Sequence, residues 1–93
     1  MSEPTTTVQP DSLYEEATQA TVEEIETGRL PMGYSSWSDY LRITRNLLCF
    51  ERSRINRKRG HNRTLAERGV RRLAAMETAL LARIAANAAR AAQ

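Results

Sequence analysis

The sequence predicts an all-α fold in which three helices cover about residues 12–27, 36–59 and 64–91. Three observations support this prediction. Apolar residues recur at helical spacing in each segment, and each segment opens with a helix-start signal. No segment alternates apolar and polar residues with hairpin turns, as half-buried strands do. We expect the second and third helices to form a long antiparallel hairpin around Gly60-His61-Asn62.

The first predicted helix is acidic and only weakly amphipathic. Ser12 and Glu15 have the spacing of a capping box, and Gly28 is a suitable residue for the left-handed position after a helix end. Glutamates crowd the last turns, where the helix macrodipole disfavours negative charge (Glu23, Glu24 and Glu26). We therefore expect this helix to be marginal unless it docks on a basic surface.

The second predicted helix has an apolar half and a basic half. Ser36 and Asp39 form a looser capping box at its start. Its apolar residues cover about half of the helical circumference (Trp37, Tyr40, Leu41, Ile43, Leu47, Leu48, Phe50 and Ile55). The separation of the two halves is lost beyond Ser53, so the helix either projects past the core there or frays before Gly60.

The third predicted helix opens with Thr64 and Glu67, which have the spacing of a capping box. One side is apolar (Leu65, Val70, Leu73, Met76, Leu80, Leu81 and Ile84), and three arginines are expected on the opposite side (Arg68, Arg71 and Arg72). Gly69 falls toward the apolar side, where it would permit the close approach of another helix.

The chain length and composition indicate one small domain. Residues 1–11 are predicted to form a flexible tail and residues 12–93 a single helical domain. The single cysteine, Cys49, excludes an internal disulfide. Because there is neither a signal peptide nor an apolar run long enough to cross a bilayer, we expect a cytoplasmic protein with no membrane partner.

Charge is distributed unevenly along the chain. The formal net charge is +3, but residues 1–40 carry −7 and residues 42–72 carry +9. The stretch RSRINRKRGHNRTLAERGVRR, residues 52–72, contains eight arginines and one lysine against a single acid, Glu67. Acidic and basic segments of this kind attract each other within a chain, between chains, or toward separate partners.

The basic stretch predicts a surface that binds nucleic acid, DNA or RNA. Clustered arginines neutralise phosphates and release counterions, and the planar guanidinium suits bidentate contacts with phosphate. Residues 54–63 would form the centre of the surface. The candidate binding residues are Arg45, Arg52, Arg54, Arg57, Lys58, Arg59, Arg63, Arg68, Arg71 and Arg72.

Two other interpretations of the basic stretch remain open. The same arginines could bind the acidic surface of another protein, which would make this chain an inhibitor or adaptor, a role that small charge-polarised helical proteins of mobile genetic elements typically have, or they could bind the acidic first helix of the chain itself. They could also be no more than a solvated helix face. On the leading interpretation the protein is an accessory or regulatory factor, and the apolar faces of the second and third helices are wide enough to form a homodimer.

The sequence offers no constellation for catalysis, and we expect neither an enzyme nor a small-molecule substrate. His61 is the single histidine, and no other His or Cys stands at metal-ligand spacing, so no metal or other cofactor is predicted. Cys49 has no base near it in sequence and is interpreted as a packing residue. Trp37 and Tyr40 are expected to anchor the core, with Tyr34 less constrained in the preceding loop.

Overall fold

The computed structural model describes residues 11–93, with side chains described from Tyr14 onward. The all-α prediction is confirmed: α1 runs over Asp11–Glu26, α2 over Trp37–Arg54 and α3 over Gly60–Ala91, and a 3-10 turn at Ile55–Arg57 follows α2. No strand occurs in these residues. The predicted tail, apart from Asp11, and the predicted cap by the Ser12 side chain lie outside the described part of the chain.

The central element is α3, against which both other helices pack. Arg45 of α2 bonds Glu77 of α3, and Glu51 lines a shallow groove together with Gly69. Residues later in α2 therefore lie beside residues earlier in α3, as expected of an antiparallel pair. The molecule is elongated, with extents of 59 × 31 × 20 Å.

The acidic helix α1 packs along α3 in the parallel sense. Arg72 donates a hydrogen bond to the Thr21 hydroxyl, and Arg83 donates one to the backbone carbonyl of Glu26. Residues later in α1 thus meet residues later in α3. The chain runs up α1, down α2 and up α3, so the connection from α1 to α2 lies at the end of the molecule away from the joint between α2 and α3.

The hydrophobic core is small and lies toward the α1–α2 connection. Its buried members are Ile25, Tyr40, Met76, Ala79 and Leu80. Half-buried apolar residues surround them (Val22, Leu30, Tyr34, Trp37, Leu41 and Leu73). The joint between α2 and α3 has no residue in this core, so the charged residues there lie on a projecting end of the helix pair.

Two of the predicted helix boundaries are formed by the expected residues. The Ser36 hydroxyl accepts a hydrogen bond from the Asp39 amide at 3.0 Å, and the Asp39 carboxylate accepts one from the Ser35 amide at 3.2 Å. In a standard capping box the carboxylate accepts a hydrogen bond from the amide of the N-cap residue, which here is Ser36. In this structure that hydrogen bond comes from the preceding residue, Ser35. At the end of α1, Gly28 takes φ +82°, the left-handed conformation expected after a helix.

The predicted start of α3 at Thr64 is wrong by four residues. The helix begins at Gly60, which takes φ +54°, so His61 and Asn62 are helical and do not form the hinge. The Thr64 hydroxyl donates to the Gly60 carbonyl at 3.4 Å inside the helix. A serine or threonine hydroxyl can bond the carbonyl four residues back as well as cap a helix start, and the sequence pattern does not separate the two roles.

The predicted end of α2 near residue 59 is also wrong. The α-helix ends at Arg54, and the chain continues through the 3-10 turn into two extended residues, Lys58 and Arg59. This is the second of the alternatives that the loss of the apolar face beyond Ser53 left open. The 3-10 turn still contacts α3, and Ile55 within it is half-buried, as is common for a short 3-10 turn at a helix end.

Candidate nucleic-acid interface

The joint between α2 and α3 gathers six basic side chains. We name this set the basic tip, and its members are Arg52, Arg54, Arg57, Lys58, Arg59 and Arg63. Arg52, Arg57 and Arg59 are exposed, and the other three are half-buried. The sequence brings them together because the 3-10 turn and the two extended residues place the end of α2 next to the start of α3.

Two acidic side chains lie beside the basic tip: Glu67 pairs with Arg63, and Glu51 lines a shallow groove together with Lys58. Arg63 Nε lies 3.3 Å from Glu67 Oε2, one helical turn away in α3. Among the described residues, the other five members take part in no ion pair. Exposed cations close together repel one another, and an anion that binds between them relieves this repulsion.

The start of α3 adds to the positive potential of the basic tip. No acidic residue lies in its first turn, and no side chain caps it. The start of α2 differs, since Ser36 caps it and Asp39 lies in its first turn. The first amides of a helix carry a partial positive charge, so at α3 that charge adds to the side chains of Arg59 and Arg63.

An exposed aromatic ring borders the basic tip. Phe50 is 53% exposed, and the Arg54 guanidinium carbon lies 5.0 Å from its ring centroid. Sequence reasoning assigned Phe50 to the apolar half of α2. The buried line on α2 consists of Tyr40, Thr44 and Leu48, spaced four residues apart, and Phe50 is rotated about 200° from Leu48 at 100° per residue. This spacing is the signal that could have identified Phe50 as exposed.

Arg68 requires a correction, since it was predicted on the exposed basic flank. It is only 6% exposed, and its guanidinium carbon lies 5.9 Å from the centroid of the Tyr14 ring. The reason is that α1 covers this side of α3, so that the surface opposite α2 is an interface and not a solvated face. Arg68 therefore belongs to the packing between α1 and α3.

The other predicted flanking arginines are divided between this interface and solvent. Arg72 is half-buried and donates to the Thr21 hydroxyl at 3.0 Å. Arg71 is exposed and lines a shallow depression beside Tyr14. Arg45, on α2, is exposed, and its Nε lies 2.8 Å from Glu77 Oε2. Of these residues, Arg71 alone extends the exposed positive surface without an ion pair among the described residues.

The acidic helix α1 packs on the side of α3 that carries a column of arginines, and among the described residues these contacts come from the Tyr14 ring, the Thr21 hydroxyl and a backbone carbonyl, with no ion pair from a glutamate of α1. Its contacts are with Arg68, Arg72 and Arg83. The column lies beside the basic tip along α3, so the described part of α1 leaves the tip uncovered. The described part of α1 thus covers the side of α3 that carries Arg68, Arg72 and Arg83, and it does not cover residues 52–63.

The remaining candidate groups occupy ordinary positions. Tyr34 stacks on Tyr40 with ring centroids 4.1 Å apart, and Trp37 stacks on Tyr40 at 6.3 Å, so all three aromatic residues pack at the core. The prediction that Tyr34 is less constrained is therefore wrong. His61 and Cys49 are both exposed, so the interpretation of Cys49 as a packing residue is wrong. Among the described residues, no three His, Cys, Asp or Glu side chains are grouped so that they could hold a metal ion.

No protein-family model matches the chain, and no curated protein or solved structure matches it. Within residues 11–93, no helix combines the length and the apolar character needed to cross a bilayer.

Proposed function

We propose that this protein is a small, non-enzymatic accessory or regulatory protein that binds nucleic acid through the basic tip. The observation that carries the proposal is the exposure of Arg52, Arg57 and Arg59. They belong to a set of six basic residues in which, among the described residues, Arg63 alone forms an ion pair with an acidic side chain. A polyphosphate backbone is a line of closely spaced anions, and its affinity for such a set grows with each phosphate neutralised.

Within this proposal the members of the basic tip have different roles. Arg57, Lys58 and Arg59 lie at the end of the hairpin and contact phosphates. Arg52 and Arg71 extend the contact along α2 and α3. Arg63 is partly neutralised by Glu67, so its contribution is smaller. Arg68 and Arg72 stabilise the packing of α1 and touch no ligand, whereas Arg45 holds α2 to α3 through Glu77.

Binding to a labelled oligonucleotide tests the proposal. The test variant replaces Arg57, Lys58 and Arg59 with Ala. The matched control replaces Arg29, Arg42 and Arg90, which are exposed and lie away from the joint, so both variants lose the same charge. We expect the tip variant to lose most of its affinity and the control to keep most of it. Equal losses, or no binding by the wild type at low salt, would contradict the proposal.

An acidic protein surface is the alternative partner for the same side chains. A pull-down with and without nuclease distinguishes the two. Partners that disappear with nuclease support nucleic acid. Partners that remain after nuclease, and are lost with the tip variant, support an inhibitor or adaptor that binds protein.

The exposed Cys49 thiol agrees with the cytoplasm as the proposed compartment, because exposed thiols persist where the medium is reducing.

Self-association is a separate proposal. Leu47, Leu65 and Leu81 are 49, 47 and 43% exposed, and a second copy of the chain would bury such residues. A homodimer should appear in sedimentation at micromolar concentration. A stable monomer under those conditions would contradict it without affecting the proposal for the basic tip.

A further inference from the structure

The side chain that the proposed function leaves unexplained is Phe50. A phenylalanine that is 53% exposed has part of its apolar surface in water, and burial of such surface stabilises a complex. The neighbours of Phe50 on the surface of α2 differ in character, because the exposed side chain of Leu47 lies one turn earlier and Arg54 lies one turn later. The Arg54 guanidinium lies 5.0 Å from the ring centroid and forms a cation–π pair with it.

From this arrangement we infer that Phe50 and Arg54 form a stacking platform for an unpaired base, so that the ligand of the basic tip is single-stranded nucleic acid. This inference rests on the proposed function. A nucleotide combines an anionic phosphate with a flat apolar base, which are the two properties that the neighbouring Arg54 and Phe50 complement. Exposed aromatic rings beside a positively charged surface are the usual means of binding single strands without sequence preference.

A duplex would not use this platform. In a duplex each base already stacks on its neighbours, so an exposed ring on the side of a helix gains no base to cover it. In a single strand the bases can turn outward and stack on an aromatic ring or on a guanidinium plane. Phosphate contacts from Arg57, Lys58 and Arg59 are open to both ligands. The two ligands therefore differ in their dependence on Phe50 and share their dependence on the arginines.

Chain geometry also favours contact with successive nucleotides. Phe50 and Arg54 are four residues apart on α2, so they lie on one face, one helical turn apart. The 3-10 turn that follows continues the chain past the end of α2 and ends at Arg57, which is exposed. A single strand that crosses this end of the molecule would meet the ring first and the guanidinium groups next.

The test compares single and double strands with variants of Phe50. The ligands are fluorescently labelled oligo-dT, oligo-rU of the same length, and a DNA duplex. The variants are Phe50→Ala, Phe50→Tyr, and the control Met32→Ala, which removes an exposed apolar side chain in the connection between α1 and α2, away from the basic tip. We expect Phe50→Ala to weaken binding to one or both single strands by about 5- to 150-fold, the loss of one stacked base. Phe50→Tyr should bind as the wild type does, and the control should change little.

The outcomes separate this inference from the function on which it rests. If the Arg57, Lys58 and Arg59 variant loses affinity while Phe50→Ala does not, the platform is refuted and the basic tip stands. If Phe50→Ala weakens duplex and single strand equally, or converts a dimer to a monomer in sedimentation, the ring has another partner and the inference fails. If no oligonucleotide binds, both proposals fail together. A loss confined to oligo-dT or to oligo-rU supports the platform and identifies which of these two strands stacks on it.

Discussion

Arg83 in α3 closes the end of α1, because its Nη1 donates a hydrogen bond to the backbone carbonyl of Glu26 at 2.9 Å. Glu26 is the last residue of α1, where the carbonyl groups have no partner inside the helix and carry a partial negative charge. Three glutamates stand in the same turns, and α1 has no basic residue of its own there. The Arg83 guanidinium therefore supplies the positive charge that α1 itself lacks at its C-terminal end.

Removal of this contact should loosen α1 selectively. Arg83→Gln should lower the free energy of unfolding by about 0.3–1 kcal/mol, the worth of a cation at a helix C-terminus. Amide hydrogen exchange should increase in α1 and stay unchanged in the part of α2 beside Leu48. Arg83→Lys keeps the charge and should recover part of the protection. Unchanged exchange in α1 would mean that Arg83 has no part in holding it.

Buried Arg68 and exposed Arg71 form a matched pair for testing the α1–α3 interface. Arg68→Ala should lower the free energy of unfolding by about 1–3 kcal/mol, because it removes a buried stem and a guanidinium that contacts Tyr14. Arg71→Ala should change it by less than about 0.5 kcal/mol. Urea denaturation measures both. If the two variants were equally stable, α1 would not cover Arg68 in solution.

Two glycines should respond to alanine in opposite directions. Gly69 lies within α3 and a Cβ there would meet no atom within 4 Å, so no helix packs closely on it. Gly69→Ala should therefore raise the free energy of unfolding by about 0.5–1 kcal/mol. Gly28 takes φ +82°, and a Cβ there would lie 3.0 Å from Arg83 Nη1. Gly28→Ala should cost about 1–2 kcal/mol from the left-handed backbone. Destabilisation by Gly69→Ala would indicate a close packing partner on that face.

Alkaline pH should destabilise the fold through Tyr40. Burial raises the pKa of the Tyr40 hydroxyl above its ordinary value of 10.0, and the neighbouring Tyr34 raises it further. The folded state therefore keeps this proton to a higher pH than the unfolded chain does. Stability is full below pH 10.0 and falls as the pH rises through the folded-state pKa. Tyr40→Phe should show a shallower loss of unfolding free energy above pH 10.0 than the wild type; parallel curves would contradict this assignment.

Much of the fold follows from local rules that the sequence displays. The helical periodicity, the Ser36 cap and the Gly28 terminus each depend on a few neighbouring residues, and all three are present in the structure. The start of α3 could not be decided in this way. Thr64 and Glu67 fit a capping box, but Gly60 already allows the chain to enter the helix, and nothing between Gly60 and Thr64 interrupts it.

The candidate surface was less predictable because it depends on which face of α3 is covered. Composition located the arginines but could not tell Arg68 from Arg71, since burial of Arg68 requires the parallel docking of α1 across a long separation in sequence. Phe50 presents the reverse case. Its apolar character suggested the core, whereas the register of α2 on α3 leaves it exposed beside Arg54.

The salt dependence of oligonucleotide binding tests the central claim most directly. Each phosphate contact contributes about −0.7 to the slope of log K against log salt concentration for a single strand. The variant without Arg57, Lys58 and Arg59 should therefore have a slope shallower by about 2, while the equally charged control at Arg29, Arg42 and Arg90 keeps the wild-type slope. Identical slopes for the wild type and the tip variant would contradict the assignment of the basic tip as the nucleic-acid interface.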